Sequence, residues 1–175
     1  IIIFITTLFV SVPSFVLATI LLLVFCLQLK WVGVWSTSNP NYVLPVLSLA
    51  MYPMAYITRL TKSSMLDVLG QDYIRTAYSR GHDRDGVLWG HALRNALIPV
   101  ITFIAVSMAE MVAGSIIIEQ VFSIPGIGRL LLASISNRDF PVVQAIVVIL
   151  TLWVVVVNFI ADVLYQYIDP RIRLN

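Results

Sequence analysis

Four stretches of this chain are almost unbroken hydrocarbon, at residues 1–27, 42–60, 97–118 and 141–165. Each suits a membrane-spanning helix of about 20 residues with some tilt. Pro13 is expected to kink the first, and Pro45 and Pro53 to break the second, which Arg59 and Lys62 end. Pro99 falls in the first turn of the third, where a missing N–H costs little. Asp139 stands where a cap for the fourth belongs. Between the first two stretches, residues 28–41 form a short polar connection whose Trp31 and Trp35 suit the headgroup level. Residues 119–140 hold a Pro125-Gly126 turn signal and a short amphipathic helix at 129–135. Residues 166–175 read as a polar tail.

One polar island interrupts this pattern. Residues 59–94 carry ten of the twenty charged residues and both histidines. Short helices are expected at 62–69 and 72–80, then a turn at 81–86 and a further helix at 87–96. An island this short cannot bury a core of its own, since free-standing domains of about 40 residues usually need disulfides, metals or partners. A charged loop between spans is most often a solvated connection. Here Ile74, Tyr78, Val87, Leu88, Trp89 and Leu93 recur at helical spacings and would expose an apolar patch unless a partner or the membrane surface covered them. Ala77 and Gly81, four apart, let another surface approach the backbone closely, and Gly81 permits a bend few residues make cheaply.

Composition changes the picture only by fixing the solvent. With 59% apolar and 11% charged residues the chain lies outside the soluble range, where about a quarter are charged. The expected fold is therefore all-α, a polytopic transmembrane bundle with about four spans, as one membrane domain over residues 1–175. The island holds six Lys and Arg and the tail adds Arg171 and Arg173, against Lys30, Arg129 and Arg138 on the other side. Eight against three puts island and tail in the cytoplasm by the positive-inside rule. A net charge of +2 is too small and scattered for nucleic-acid binding. The chain opens Ile-Ile-Ile-Phe with no basic n-region or small-residue cleavage site, so no intact signal peptide is expected, and it reads as a piece of a longer chain.

Little cofactor chemistry is available. Gly81 to Gly86 has a P-loop's glycine spacing, but Val87 stands where its Lys should be, so the chain is not expected to be an ATPase itself. Gly126 and Gly128 are a lone Gly-x-Gly without a third glycine. His82 and His91 have no third ligand at metal spacing, and read as polar groups at a wet interface. Cys26 has no mate and is either lipid-facing or packed.

Glu110 sits near mid-membrane, where an ionisable group is costly and should face protein or water. Ala105, Ala109 and Ala113 form a small-residue stripe beside it. Either this helix lines a translocation path, with Glu110, Ala109 and Ala113 on it, or Glu110 hydrogen-bonds a neighbouring helix in neutral form. Asn158 and Asp162, four apart, read as helix glue, and Glu119 as a solvated group near the outer surface.

Asp72-Tyr73-Ile74-Arg75-Thr76-Ala77-x-x-x-Gly81 followed by His91-Ala92-Leu93-Arg94-Asn95-Ala96-Leu97-Ile98-Pro99 resembles the cytoplasmic loop of inner-membrane permease subunits in binding-protein-dependent ABC importers, closest to the dipeptide, oligopeptide and nickel branch. Glu119-Gln120-Val121-Phe122-Ser123-Ile124-Pro125-Gly126-Ile127-Gly128-Arg129, Arg138-Asp139-Phe140-Pro141-Val142-Val143-Gln144 and the ending Asp169-Pro170-Arg171-Ile172-Arg173 look like the same branch. The resemblance implies a coupling helix seated in a groove on an ATPase subunit, here carried by Arg75, Thr76, Ala77, Gly81, His82, Asp83 and Trp89. Arg75 and Thr76 stand where the family consensus has Glu and Ala. The resemblance also implies a second permease subunit, two ATP-binding cassette subunits that hold the ATP and Mg, an extracytoplasmic binding protein, and further spans before Ile1. The substrate would be a small peptide or a chelated metal such as nickel. Closure of the nucleotide-binding subunits would carry the loop around Gly81 with its socket and tilt the spans attached at Leu60 and Leu97. An ion-coupled secondary transporter or channel, with Glu110 as the ion carrier, and a non-transporting membrane scaffold are the alternatives.

Overall fold

The computed structural model describes residues 2–168, and every regular element among them is helical. The ending Asp169 to Arg173 and the side chains of Ala113 and Asp162 lie outside the described residues. Among the described residues, three helices are long and apolar enough to cross a membrane: Val43–Leu69, Arg84–Val112 and Phe140–Ala161. This differs from the four expected spans. The first apolar stretch folds as two shorter helices, α1 (Ile2–Ser11) and α2 (Ser14–Leu21), the latter continued by a π-helical segment, Leu22–Gln28. Pro13 breaks the stretch outright, because its extended φ/ψ of −57°/140° lies outside the helical region.

The later prolines do the opposite. α3 (Val43–Leu69) runs through both Pro45 and Pro53 without ending at Arg59 or Lys62. Pro45 sits in the first turn, where the N–H it lacks would have no helical partner anyway, and only Pro53 is interior. At 1.5 Å per residue this 27-residue helix is about 40 Å long, against a hydrocarbon core of about 30 Å. Its last turns, expected as a separate helix at 62–69, are the overhang. The same holds across the island. A short α5 (Arg84–Gly86), a π segment (Val87–Ala92) and α6 (Leu93–Val121) form one continuous rod. Pro99 is therefore interior, not in a first turn. Tyr56 of α3 stacks on Phe103 of α6, ring centroids 4.2 Å apart, within the most extensively packed helix pair.

Two apolar clusters sit at opposite ends of these rods. One joins Ala18 and Cys26 to Leu44 of α3 and to Ile118 and Phe122 at the end of α6, so Cys26 is packed. The other gathers the island. α4 (Asp72–Ser79) turns Ile74 and Ala77 inward against Val87 and Ala92, with Met65, Val68 and Leu69 of the α3 overhang closing over them. The polar segment has no core of its own and borrows one from the ends of the two rods.

The loop after α6 is locked by one carboxylate. Glu119 accepts hydrogen bonds from the N–H groups of Gly128 (2.8 Å) and Arg129 (3.1 Å), capping α7 (Ile127–Ser136), while Arg129 Nη1 donates to the Ser123 carbonyl at 2.7 Å. Glu119 is thus half-buried and bonded, not simply solvated. A Cβ on Gly126 would run into the Glu119 carboxyl, and one on Gly128 would lie 2.5 Å from Ile116 Cα, so α7 approaches α6 backbone to backbone. Asp139 accepts from Val142 N–H at 3.4 Å and so caps α8 (Phe140–Ile168), as its position in the sequence predicts. α8 packs on α6 and α7, burying Ile146, Val157 and Ala161 and leaving a broad apolar face outward.

Gly128→Val should lower the stability of the purified protein by about 1–3 kcal/mol through overpacking against backbone that cannot give. Gly114→Ala, whose Cβ would meet Leu49 at an ordinary 3.5 Å, should not. Thermal unfolding in detergent compares the two. Ile74→Ala should cost about 2–5 kcal/mol at the island core. It should speed protease cleavage at Arg80 and Arg84, a change that truncation of the exposed Tyr78 does not produce.

Candidate functional site

The island presents a small folded knob. α4 ends where Gly81 takes φ +87°, a left-handed conformation that favours glycine, and the Gly81 N–H donates to the Tyr78 carbonyl at 3.0 Å. Asp83 restarts the chain as a helix by accepting from the Gly86 N–H at 3.1 Å. Asn95 Nδ2 donates to Tyr73 Oη at 2.9 Å, tying the outer face of α4 to the base of α6 across 22 residues of sequence. The His82 and His91 rings meet edge to face, 5.2 Å between centroids. Arg75 and Asp72 lie 3.8 Å apart with both side chains almost fully exposed, a pair that adds little stability.

Six of the seven residues singled out on the island are at its surface: Arg75, Thr76, Gly81, His82, Asp83 and Trp89. Thr76 Oγ1 donates back to the Asp72 carbonyl at 3.0 Å. Ala77 is the exception. It is 7% exposed, and its small side chain packs with this chain's own π segment and α3 overhang. The same packing covers Ile74 and Val87, so neither needs a partner. What remains outward is Trp89, 73% exposed, with Tyr73 and Tyr78 on α4. The π segment sorts these residues, since over Val87–Ala92 it buries both ends and leaves Trp89, Gly90 and His91 outside. Two features escaped the sequence reading, the Asn95–Tyr73 bond and the α3 overhang. Met65, Val68 and Leu69, at i, i+3 and i+4, carried the signal for the second.

A second site opens between the rods. Where α1 and α2 part at Pro13, an open cleft of about 380 Å³ reaches Pro53 on α3 and Glu110 on α6. Glu110 is exposed within this chain, Ala109 is half-buried and Ala105 is buried. Among the described residues no side chain or backbone group hydrogen-bonds or ion-pairs with Glu110.

Over residues 1–174 the chain matches the model of the family described as binding-protein-dependent transport system inner membrane component. It is 43% identical over 167 residues to the dipeptide transport system permease protein DppB of Bacillus subtilis (strain 168), covering 95% of this chain and 54% of that protein. It is 43% identical over 174 residues to the oligopeptide transport system permease protein AppB of the same organism, covering 93% and 55%. To the glutathione transport system permease protein GsiC of Escherichia coli (strain K12) it is 41% identical over 165 residues, covering 94% and 54%. The chain spans about half the length of the curated relatives it matches. With three membrane-length helices, an all-helical fold and a family match over nearly every residue, it belongs to the binding-protein-dependent transport system inner membrane components.

Proposed function

We propose that this chain is part of a permease subunit that forms the path of a small peptide through the membrane, in an ABC importer driven by ATP hydrolysis on separate subunits. The observation that carries the reading is the family match over residues 1–174 together with relatives named for dipeptide, oligopeptide and glutathione transport. Those names favour a peptide over a chelated metal such as nickel. A peptide would arrive on an extracytoplasmic binding protein, and a second permease subunit would complete the path. ATP and Mg would sit on two cassette subunits, since Val87 stands where a P-loop Lys would be needed.

Coupling would run through the island, placed in the cytoplasm by the excess of Lys and Arg on its side. Its geometry supports the role. The knob is packed on the ends of two continuous rods, so a push on it acts on α3 and α6 together without an intervening hinge at Leu60 or Leu97. Rigid-body gating of this kind needs packed, discrete elements. Of the outward residues, Trp89 offers the largest uncovered apolar area, and an exposed tryptophan is the side chain best suited to anchor an interface. Arg75, Thr76, Gly81, His82 and Asp83 surround the same knob.

In a complex of the full-length subunit with its partners, Trp89→Ala should weaken retention of the ATPase subunits by about 2 kcal/mol or more, roughly thirtyfold. The thermal stability of the permease alone should be unchanged, because Trp89 contributes little to its core. Co-purification and peptide-stimulated ATP hydrolysis measure the effect. Undiminished retention and hydrolysis would remove the island from the coupling path.

A further inference from the structure

The cleft around Glu110 is unusual for what its polar atoms can do. Ser11 Oγ donates its only hydrogen to the Thr7 carbonyl and Ser107 Oγ to the Ile104 carbonyl, each at 2.8 Å, so both oxygens can face the cleft only as acceptors. Pro53 has no N–H to give the Leu49 carbonyl, and Val16 N–H turns to the Pro13 carbonyl (3.0 Å) instead of Val12's. Val12, Leu49 and Pro53 all line the cleft. The cleft that Glu110 lines is thus bordered by residues whose oxygens are short of donors, Ser11, Val12, Leu49 and Ser107, with Tyr52 and Ser14 hydroxyls as the remaining side-chain polar groups. No Lys, Arg or His lines it. Interrupted membrane helices whose freed carbonyls meet a carboxylate form a cation-binding environment. An unpaired carboxylate at membrane depth is costly until a cation reaches it.

We propose that this cleft is a recognition subsite for the α-ammonium group of the transported peptide. An ammonium brings three donors and no acceptor, matching a carboxylate set among carbonyl and hydroxyl oxygens. The 380 Å³ volume leaves room beside it for small side chains in contact with Met111 and Gly114. The inference rests on the permease reading above and gives the path a fixed point that a substrate's amino end would occupy in passing.

The test is uptake of a radiolabelled dipeptide into proteoliposomes holding the full transporter, with its binding protein and ATP. Glu110→Gln should reduce uptake at least about tenfold, while binding-protein-stimulated ATP hydrolysis persists, because the coupling island is untouched. Glu110→Asp should recover most of the loss. Normal uptake by the Gln variant, or an Asp variant as impaired as Gln, overturns the subsite, since shape rather than charge would then matter. If neither variant assembles, Met111→Lys places an ammonium in the cleft beside an intact Glu110 and should block uptake. Normal uptake by that variant is equally fatal. Uptake that depends on Na⁺ or K⁺, and loses that dependence in Glu110→Gln, would assign the cleft to an inorganic cation and overturn the peptide reading. Wild-type proteoliposomes that take up no dipeptide would fail the permease reading itself, and this inference with it.

Discussion

A shared apolar contact holds the polar part of this protein in place. Ile74 and Ala77 of α4 are pressed against Val87 and Ala92, and the closing wall is the end of a membrane helix, Met65, Val68 and Leu69. None of these pieces could stay folded in water alone, since α4 is only eight residues long, well below the length at which isolated helices persist. Packing on two rods at once supplies what propensity cannot. The island's orientation is therefore fixed relative to α3 and α6 together, and its outward residues are displayed on a rigid base.

The rods owe their continuity to how the membrane treats proline. In water an interior proline costs a helix about 3 kcal/mol or more. In a bundle, neighbours and local backbone adjustment absorb part of that cost. Pro53 and Pro99 lie inside long helices with extensive mutual packing, and the helices survive them. Pro13 instead takes extended backbone angles, and the helix parts there. The break is not idle, because it shapes the cleft on which Glu110 opens.

Much of this was legible in the residues. The apolar stretches, the short helix after Pro125, the cap at Asp139 and the apolar spacing within the island all follow from periodicity and turn chemistry. What was hidden depended on distance in sequence. Whether Ala77 faces a partner or its own chain turns on where α3 stops, and Arg59 and Lys62 suggest a stop eight or so residues too early because charges can ride on a helix that has left the hydrocarbon. Glu119 looks like a surface acid until the chain returns nine residues later to offer it two N–H groups. The π segment leaves no pattern a single sequence can display. Of the seven residues singled out on the island, only Ala77 is turned inward.

The knot after α6 carries an implication for how such chains can diverge. Glu119 fills the space a side chain at position 126 would occupy, and Ile116 lies so close beneath Gly128 that it leaves no room for a side chain there. A change at Gly128 meets backbone, a change at Gly126 displaces the Glu119 carboxylate, and a change at Glu119 strands two amide hydrogens. Replacements here are therefore coupled through space: a side chain at 126 and the carboxylate at 119 compete for one volume, so a change at one position alters what the other can hold.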